Sequence, residues 1–186
     1  MQKYCKIILI ILIPILAYLM SFGILVYDSD YYTTLTQKYS KIDAADMNKD
    51  MVEYFKTGVT ASSFLGFSEK EQVHLQDVKC VIHYLLGFLM IFLVLFLFLL
   101  RFAEDKKKIF FYGGIITIIM PVLFFLPFET LFTQMHNMFF APGSWIFAAD
   151  ALLVNLYPAE FFYAFAKGIV LRGFCLGLVI TLLSRK

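Results

Sequence analysis

The sequence predicts an integral membrane protein, a membrane all-α bundle of four transmembrane helices with a small α+β extracytoplasmic cap. Of its 186 residues, 61% are hydrophobic and only 16% are charged, and the mean hydropathy is +0.78. This composition excludes the ordinary soluble globular class. Four apolar stretches are each long enough to cross a bilayer core, which takes roughly 20 helical residues. Because open sheets cannot span lipid, we expect all four to be helices.

The four predicted spans cover about residues 7–26, 80–100, 109–128 and 161–183. The first follows two lysines and is superficially like a signal peptide. Its apolar part is longer than the usual h-region and no small-x-small cleavage pattern follows, so we interpret it as a retained anchor. No repeat or low-complexity linker divides the chain, and we treat residues 1–186 as one integral membrane domain.

The positions of lysine and arginine next to the spans predict the orientation. With four spans, three basic groups fall on one side: Lys3 with Lys6, Arg101 with Lys106, Lys107 and Lys108, and Arg185 with Lys186. The other side holds segment 28–79, in which nine acids outnumber six lysines, and segment 129–160, which has no Lys or Arg. We therefore expect both termini to be cytoplasmic and both of these segments to be extracytoplasmic.

The first of these segments, 28–79, is the predicted cap. Asp30–Leu35 is rich in aromatic and β-branched residues and is predicted to be a short strand, and Val59–Phe67 is a second strand candidate. Between them, apolar residues recur at helical spacing. That helix lies between the N-cap candidates Asp43 and Asp46 and the C-cap candidate Gly58, and its apolar residues are Met47, Met51, Tyr54 and Phe55.

A capping box marks the start of the next helix. Ser68 and Glu71 have the S-x-x-E spacing in which each side chain caps a backbone N–H near the other residue. The helix is expected to continue into the second span, with Glu71, His74 and Asp77 along one face. His83 is nine residues beyond His74, a rotation of roughly 900°, and so points to the opposite face. Any histidine partner of His74 must therefore be His136.

The second extracytoplasmic segment, 129–160, is unusually apolar for a loop. We expect an interfacial or re-entrant hairpin that covers a site at the outer leaflet, with lipid-facing anchoring through Trp145 as the alternative. Arg172 falls inside the fourth span, where an ionisable group marks a cavity or a partner. A structural ion pair and a role in substrate binding are both open for Arg172.

Histidine takes and returns protons near neutral pH, so His74 and His136 indicate acid/base catalysis if their rings meet. The three cysteines have no metal or redox spacing, and no cofactor or metal is implied. The sequence has no phosphate-binding loop, no Ser or Cys nucleophile with a plausible triad, and no nucleic-acid patch. The oligomeric state is left open.

Three stretches of the sequence carry a family resemblance. NKDMVEYFKTG at 48–58, FSEKEQVHLQDVK at 67–79 and FTQMHNMFF at 132–140, followed by Trp145 and Tyr157-Pro158, resemble bacterial lipoprotein intramolecular transacylases, which span the membrane four times. The E-x-x-H-x-x-D-V-K run is the most specific part, and the likeness covers most of the chain.

The resemblance implies the activity, the substrate and the site. Members of this family move an acyl chain from the sn-2 position of a diacylglyceryl-modified N-terminal cysteine to the α-amine of that cysteine, leaving a lyso-form lipoprotein. The expected partners are thus diacylglyceryl-modified lipoproteins and membrane lipid at the outer leaflet of the bacterial cell membrane. The essential histidines correspond to His74 and His136, Asp77 is a supporting residue and Trp145 a substrate-binding one.

For this reaction we expect His74 to act as base toward the amine. Glu71 or Asp77 would fix the His74 tautomer through its other ring nitrogen, and His136 would polarise the ester carbonyl and protonate the leaving oxygen.

Two other classes of function remain open. A bis-histidine haem or metal membrane protein would need a second ligand opposite His83, which the sequence does not provide. A non-catalytic membrane adaptor or immunity-type protein would dock through the acidic cap, and both site histidines would tolerate substitution.

Overall fold

The computed structural model of the chain describes residues 2–125 and 127–185, and these are largely helical. Position 126, inside the predicted third span, and Lys186, used above to predict orientation, lie outside the described residues. The α-helices within the described residues are α1 (Gln2–Val26), α2 (Ser29–Tyr39), α3 (Ala45–Thr57), α4 (Glu69–Arg101), α5 (Lys106–Ile119), α6 (Phe128–Phe139), α7 (Leu152–Leu156) and α8 (Ala159–Ser184). Two 3-10 helices cover Ser62–Gly66 and Met120–Phe125.

The strands predicted in the cap are wrong, and no strand occurs anywhere in the part of the chain that the structure describes. The first candidate lies within α2. Asp28 caps this helix by accepting the N–H of Tyr31 at 2.9 Å, and Tyr32 and Leu35, one turn apart, are both buried. Helical periodicity and the cap therefore outweigh the β-propensity of the aromatic and β-branched residues. The second candidate contains the 3-10 helix Ser62–Gly66.

The predicted helix between those two stretches is confirmed as α3. Met51, Tyr54 and Phe55 are buried, and Gly58 ends the helix in the left-handed conformation at φ 80°. The N-terminal end differs from the prediction in that the N-cap residue is Ala44 and not Asp43 or Asp46.

Three of the four predicted spans are confirmed as long apolar helices within the described ranges: α1, α4 and α8. The third predicted span, 109–128, is divided instead. α5 has 14 residues, about 21 Å, and is followed directly by the 3-10 helix Met120–Phe125. Pro121 accounts for the change, because proline lacks the N–H that would continue the α-helix by donating to the carbonyl oxygen of Thr117.

α4 continues without a break from the capping box into the second span, as predicted. Its 33 residues extend about 50 Å, whereas the hydrocarbon core is about 30 Å thick. The apolar stretch 80–100 is long enough to cross that core. The polar segment 69–79 of the same helix is therefore not needed to cross it.

The described residues form two compact units, and the first comprises residues 2–23, 85–125 and 168–185. Its core is aliphatic, with one phenylalanine, and consists of Leu9, Leu12, Ile13, Leu16, Phe96 and Ile109. Small residues let α5 and α8 approach closely. A Cβ on Gly177 would lie 2.9 Å from the Cβ of Thr117 and 3.2 Å from the carbonyl oxygen of Gly114. Small residues at helix contacts are typical of membrane proteins.

The second unit comprises Ile24–Tyr84 and Pro127–Lys167. A buried polar network connects its helices. Asn48, fully buried on α3, donates to Thr36 Oγ1 of α2 at 2.7 Å and accepts the hydroxyl of Tyr157 at 3.1 Å. Because these buried groups satisfy one another, the network fixes the positions of α2, α3 and the end of α7.

Candidate active site

The first turn of α4 supports the site structurally. The predicted capping box is present: the Ser68 N–H donates to Glu71 Oε2 at 2.7 Å, and the Glu71 N–H donates to Ser68 Oγ at 3.4 Å. The other oxygen of Glu71, Oε1, accepts the N–H of Leu153 at 2.7 Å. Burial alone would raise the pKa of Glu71, but the hydrogen bonds from Leu153 and Ser68 lower it below its ordinary value. Glu71 therefore fixes α7 to α4 as a carboxylate.

His74 lies one turn further along α4, on the same face as Glu71. It is buried, and its ring centroid lies 4.8 Å from that of Phe140 and 5.4 Å from that of Phe147. Its Nδ1 atom is buried and has no hydrogen-bond partner among the described residues. Neither Glu71 nor Asp77 therefore orients the ring through Nδ1.

His136 is buried on α6 and faces His74, with ring centroids 6.2 Å apart. Its Nδ1 lies 2.8 Å from the carbonyl oxygen of Phe132. Since a carbonyl only accepts, this contact assigns the proton of the neutral ring to Nδ1 and leaves a lone pair on Nε2. The Phe132 ring is tilted against that of His136, with centroids 4.0 Å apart, and the centroid of the Trp145 ring lies 4.8 Å away.

Both imidazoles are held in their neutral form. Burial, together with a positive charge on His136, lowers the pKa of His74 to about 4; Asp77 opposes this shift and Lys70 adds to it. Burial also lowers the pKa of His136, opposed by the hydrogen bond to Phe132. At neutral pH the site thus contains two uncharged rings, one with a defined basic nitrogen.

The segment that follows α6 lies against the two rings and is fastened to α4. Lys70 donates to the carbonyl oxygen of Ile146 at 2.6 Å, and its ammonium lies 5.2 Å from the Phe147 ring centroid. Gly143, at φ 80°, provides the turn before these residues. With the bond from Leu153 to Glu71, two adjacent residues of α4 hold both ends of segment 146–153.

Trp145 lies directly before this fastened segment, and its ring contacts that of His136. Its Nε1 atom is buried and, like Nδ1 of His74, has no hydrogen-bond partner within the described residues. The site therefore contains a buried N–H donor without a partner, on a ring that contacts that of His136.

Of the remaining predicted residues, Asp77 is half-buried one turn beyond His74, where its charge raises the pKa of that ring. Arg172 is an exposed residue of α8 in the first unit, and its role in substrate binding stays a prediction. His83 lies outside the site, with Nε2 2.8 Å from the Phe55 carbonyl oxygen. In the described ranges, no three His, Cys, Asp or Glu side chains are grouped so that they could hold a metal.

Sequence reasoning missed three residues of the site: Phe140 and Phe147, which contact His74, and Lys70, which holds Ile146 and Phe147. Lys70 precedes His74 by four residues on α4, and Phe140 follows His136 by four, so helical spacing alone could have identified both. Phe147 has no such local signal, because its contact with His74 depends on how segment 146–153 folds back.

Comparison with known proteins gives a consistent result. A family model described as lipoprotein intramolecular transacylase Lit matches residues 3–162. An uncharacterized protein of Aquifex aeolicus is 25% identical over 132 residues, which are 69% of this chain. That match spans 61% of the length of the Aquifex protein, less than two thirds.

Solved structures share the fold. The membrane integral lipoprotein intramolecular transacylase Lit from Bacillus cereus superposes with a TM-score of 0.83 at 21% identity, covering 100% of this chain and 94% of that one. A variant of the same protein with one histidine replaced by arginine gives a TM-score of 0.81 at 20% identity, with coverage of 100% and 91%.

Proposed function

The chain belongs to the lipoprotein intramolecular transacylase family Lit, as its motifs predicted, and from that premise we propose that it catalyses an O-to-N acyl shift on a diacylglyceryl-cysteine lipoprotein. The sn-2 acyl chain moves to the α-amine of the N-terminal cysteine, and the product is a lyso-form lipoprotein. One observation carries the proposal: two buried neutral imidazoles from α4 and α6 face each other among aromatic side chains, with their ring centroids 6.2 Å apart.

His136 is the better base of the two. Its Nδ1–H donates to Phe132, so Nε2 is free to accept a proton from the attacking amine. His74 lacks a partner at Nδ1, and its pKa is lowered to about 4, so it serves as an uncharged N–H donor instead. The sequence led us to expect His74 as the base, so these roles are reversed. The hydrogen bond to Phe132 defines the tautomer of His136, and residue spacing in the sequence does not predict that bond.

The reaction then proceeds in two steps. The neutral α-amine attacks the sn-2 ester carbon, forming the N–C bond, and loses one proton to His136 Nε2 as the oxyanion develops beside His74. The intermediate collapses by breaking the bond to the sn-2 oxygen, which receives that proton from His136. One proton has moved from nitrogen to oxygen, giving an amide and a free sn-2 hydroxyl without a cofactor.

Holding the amine and the ester in position contributes most of the remaining rate acceleration. Nucleophile and ester belong to one molecule, and holding them in a reactive pose can lower the barrier by roughly 7–11 kcal/mol. Segment 146–153, fastened by Lys70 and Glu71, covers the rings with apolar side chains. It would exclude the water that would otherwise hydrolyse the ester.

The proposed location is the outer leaflet of the bacterial cell membrane, with both termini cytoplasmic, as the basic residues beside the spans indicate. α1, α4 and α8 are long enough to cross. Together, α5 and Met120–Phe125 extend about 33 Å. They would form the remaining span, the third in chain order, of a single membrane domain. The substrate then presents its acyl chains to the site from the leaflet.

A synthetic diacylglyceryl lipopeptide with a deuterated sn-2 acyl chain tests the function. We expect purified protein in detergent micelles to transfer the label to the α-amine, detected by tandem mass spectrometry, with no exchange when labelled and unlabelled peptides are mixed. Release of deuterated fatty acid without N-acylation would instead indicate a hydrolase. A lipopeptide that is bound but unchanged would favour the adaptor reading.

A further inference from the structure

Two buried side-chain atoms in the second unit have no hydrogen-bond partner among the described residues, and both lie in the site. They are His74 Nδ1 and Trp145 Nε1. Buried polar atoms in folded proteins are almost always paired, and each exception calls for a ligand or a functional reason. The indole N–H differs from the imidazole nitrogen because it can only donate. Its missing partner is therefore an acceptor.

We propose that Trp145 is a catalytic residue whose Nε1–H donates a hydrogen bond to the oxyanion formed from the sn-2 ester carbonyl, an assignment that rests on the proposed function. The Trp145 and His136 rings are in contact, with centroids 4.8 Å apart, so the base and the donor lie on neighbouring rings and can act on one reacting group. The amine loses its proton to His136, and the carbonyl oxygen accepts from the Trp145 N–H as well as from His74.

The donor is fixed in place before the substrate arrives. Ile146 and Phe147, the two residues that follow Trp145, are held by the Lys70 ammonium. Gly143 makes the left-handed turn two residues before it. A donor held rigidly in a site from which water is excluded stabilises a developing negative charge without having to reorganise.

The burial of Nε1 also argues against lipid anchoring, the alternative considered for this residue. An interfacial tryptophan keeps its N–H near the headgroups, where it finds a partner. In this chain the ring is packed against His136 and its N–H is buried. Anchoring therefore leaves the direction of the indole unexplained, whereas donation to a substrate oxygen explains it.

The chain contains a single tryptophan, so its replacement during expression alters position 145 alone. In a tryptophan auxotroph, β-(3-benzothienyl)alanine keeps the bicyclic shape and removes the N–H. We expect kcat with the diacylglyceryl lipopeptide to fall about 10²–10³-fold, as for loss of one oxyanion donor, with KM changed less than threefold. Trp145→Phe, which removes the N–H by a different route, should show the same division between kcat and KM.

A kcat within threefold of wild type for the benzothienyl protein would overturn the assignment. A raised KM at unchanged kcat would overturn it too, because Trp145 would then only bind substrate. The thermal midpoint of the benzothienyl protein should match that of the wild type, which separates loss of the donor from loss of packing. If the wild-type protein gives no N-acyl product, the proposed function itself fails, and the role of Trp145 falls with it.

Discussion

The imidazole rings of His74 and His136 lie nearly parallel, at an interplanar angle of 22°, with their centroids 6.2 Å apart. They come from two different helices, α4 and α6, and lie 62 positions apart in the sequence. At this distance the rings do not bond directly, and one reacting group of a substrate can lie between their edges. The two rings differ in their second contacts, since only His136 has a defined acceptor for its Nδ1 proton.

The different roles of the two histidines predict unequal effects of glutamine substitution. A glutamine at 136 cannot act as base, and we expect His136→Gln to lower kcat about 10³-fold. A glutamine at 74 retains an N–H donor, so His74→Gln should lose only about tenfold, and His74→Ala about 10²-fold. His83→Gln, outside the site, is the control and should keep wild-type kcat. Greater loss for His74→Gln than for His136→Gln would show that His74 is the base.

The lowered pKa of His136 predicts the pH profile of the reaction. The base is neutral at every pH above its own pKa, which lies below the ordinary 6.5. The α-amine of the substrate, with a pKa of about 7.7–8.0, then controls the rate. We expect log kcat/KM to rise with a slope of one from about pH 6.5 to a plateau near pH 8. A slope of two that sets in at pH 6.5 or above would place the His136 pKa at or above its ordinary value.

His74 predicts a separate dependence of stability on pH. Its pKa is about 4 when folded and near 6.5 when unfolded, so the unfolded chain binds the additional proton between these values. Stability should therefore fall as the pH decreases from about 6.5 to 4, by at most about 3 kcal/mol from this residue. The thermal midpoint of His74→Gln should depend on pH less than that of the wild type. The midpoint of the control His83→Gln should depend on pH as that of the wild type does. Identical dependence in both variants would contradict the shift at His74.

Glu71 predicts a loss of stability together with a loss of activity. Its carboxylate accepts the backbone N–H groups of Ser68 and Leu153, and hydrogen bonds to charged groups contribute about 1.5–3 kcal/mol each. Glu71→Ala should destabilise the protein by roughly 3 kcal/mol and slow the reaction, because segment 146–153 is released at one end. The exposed Glu69 is the matched control, and Glu69→Ala should leave both quantities unchanged. Full activity in a destabilised Glu71→Ala protein would show that the segment does not need this bond.

Local rules in the sequence predicted much of the site. The capping box at Ser68 and Glu71 and the rotation per residue placed His74 on one face and His83 on another, and both results are present in the structure. The pairing of His74 with His136 followed from excluding His83. The capping box and the exclusion of His83 were both inferred from residue spacing along α4 alone.

The parts of the fold that were predicted wrongly or missed depend on caps, on proline and on contacts between distant residues. The Asp28 cap turned a stretch rich in β-formers into α2, and α5 ends after 14 residues, just before Pro121, where the 3-10 helix Met120–Phe125 continues the apolar stretch. The bond between Glu71 and Leu153 joins residues 82 positions apart, and the orientation of the Trp145 indole depends on that fold-back. No pattern of spacing encodes either contact.

The contact between α5 and α8 in the first unit predicts the effect of adding a side chain there. A Cβ on Gly177 would already lie 2.9 Å from the Thr117 Cβ and 3.2 Å from the Gly114 carbonyl oxygen, so the larger Gly177→Leu side chain must separate the helices. Overpacking of this kind costs about 1–3 kcal/mol. Gly87, also in an apolar helix, would have no atom within 4 Å of an added Cβ, so Gly87→Leu is the matched control. We expect only Gly177→Leu to lower the temperature at which half the protein is lost from the monodisperse peak in size-exclusion chromatography. Equal midpoints for the two variants would mean that close approach at Gly177 does not stabilise the first unit.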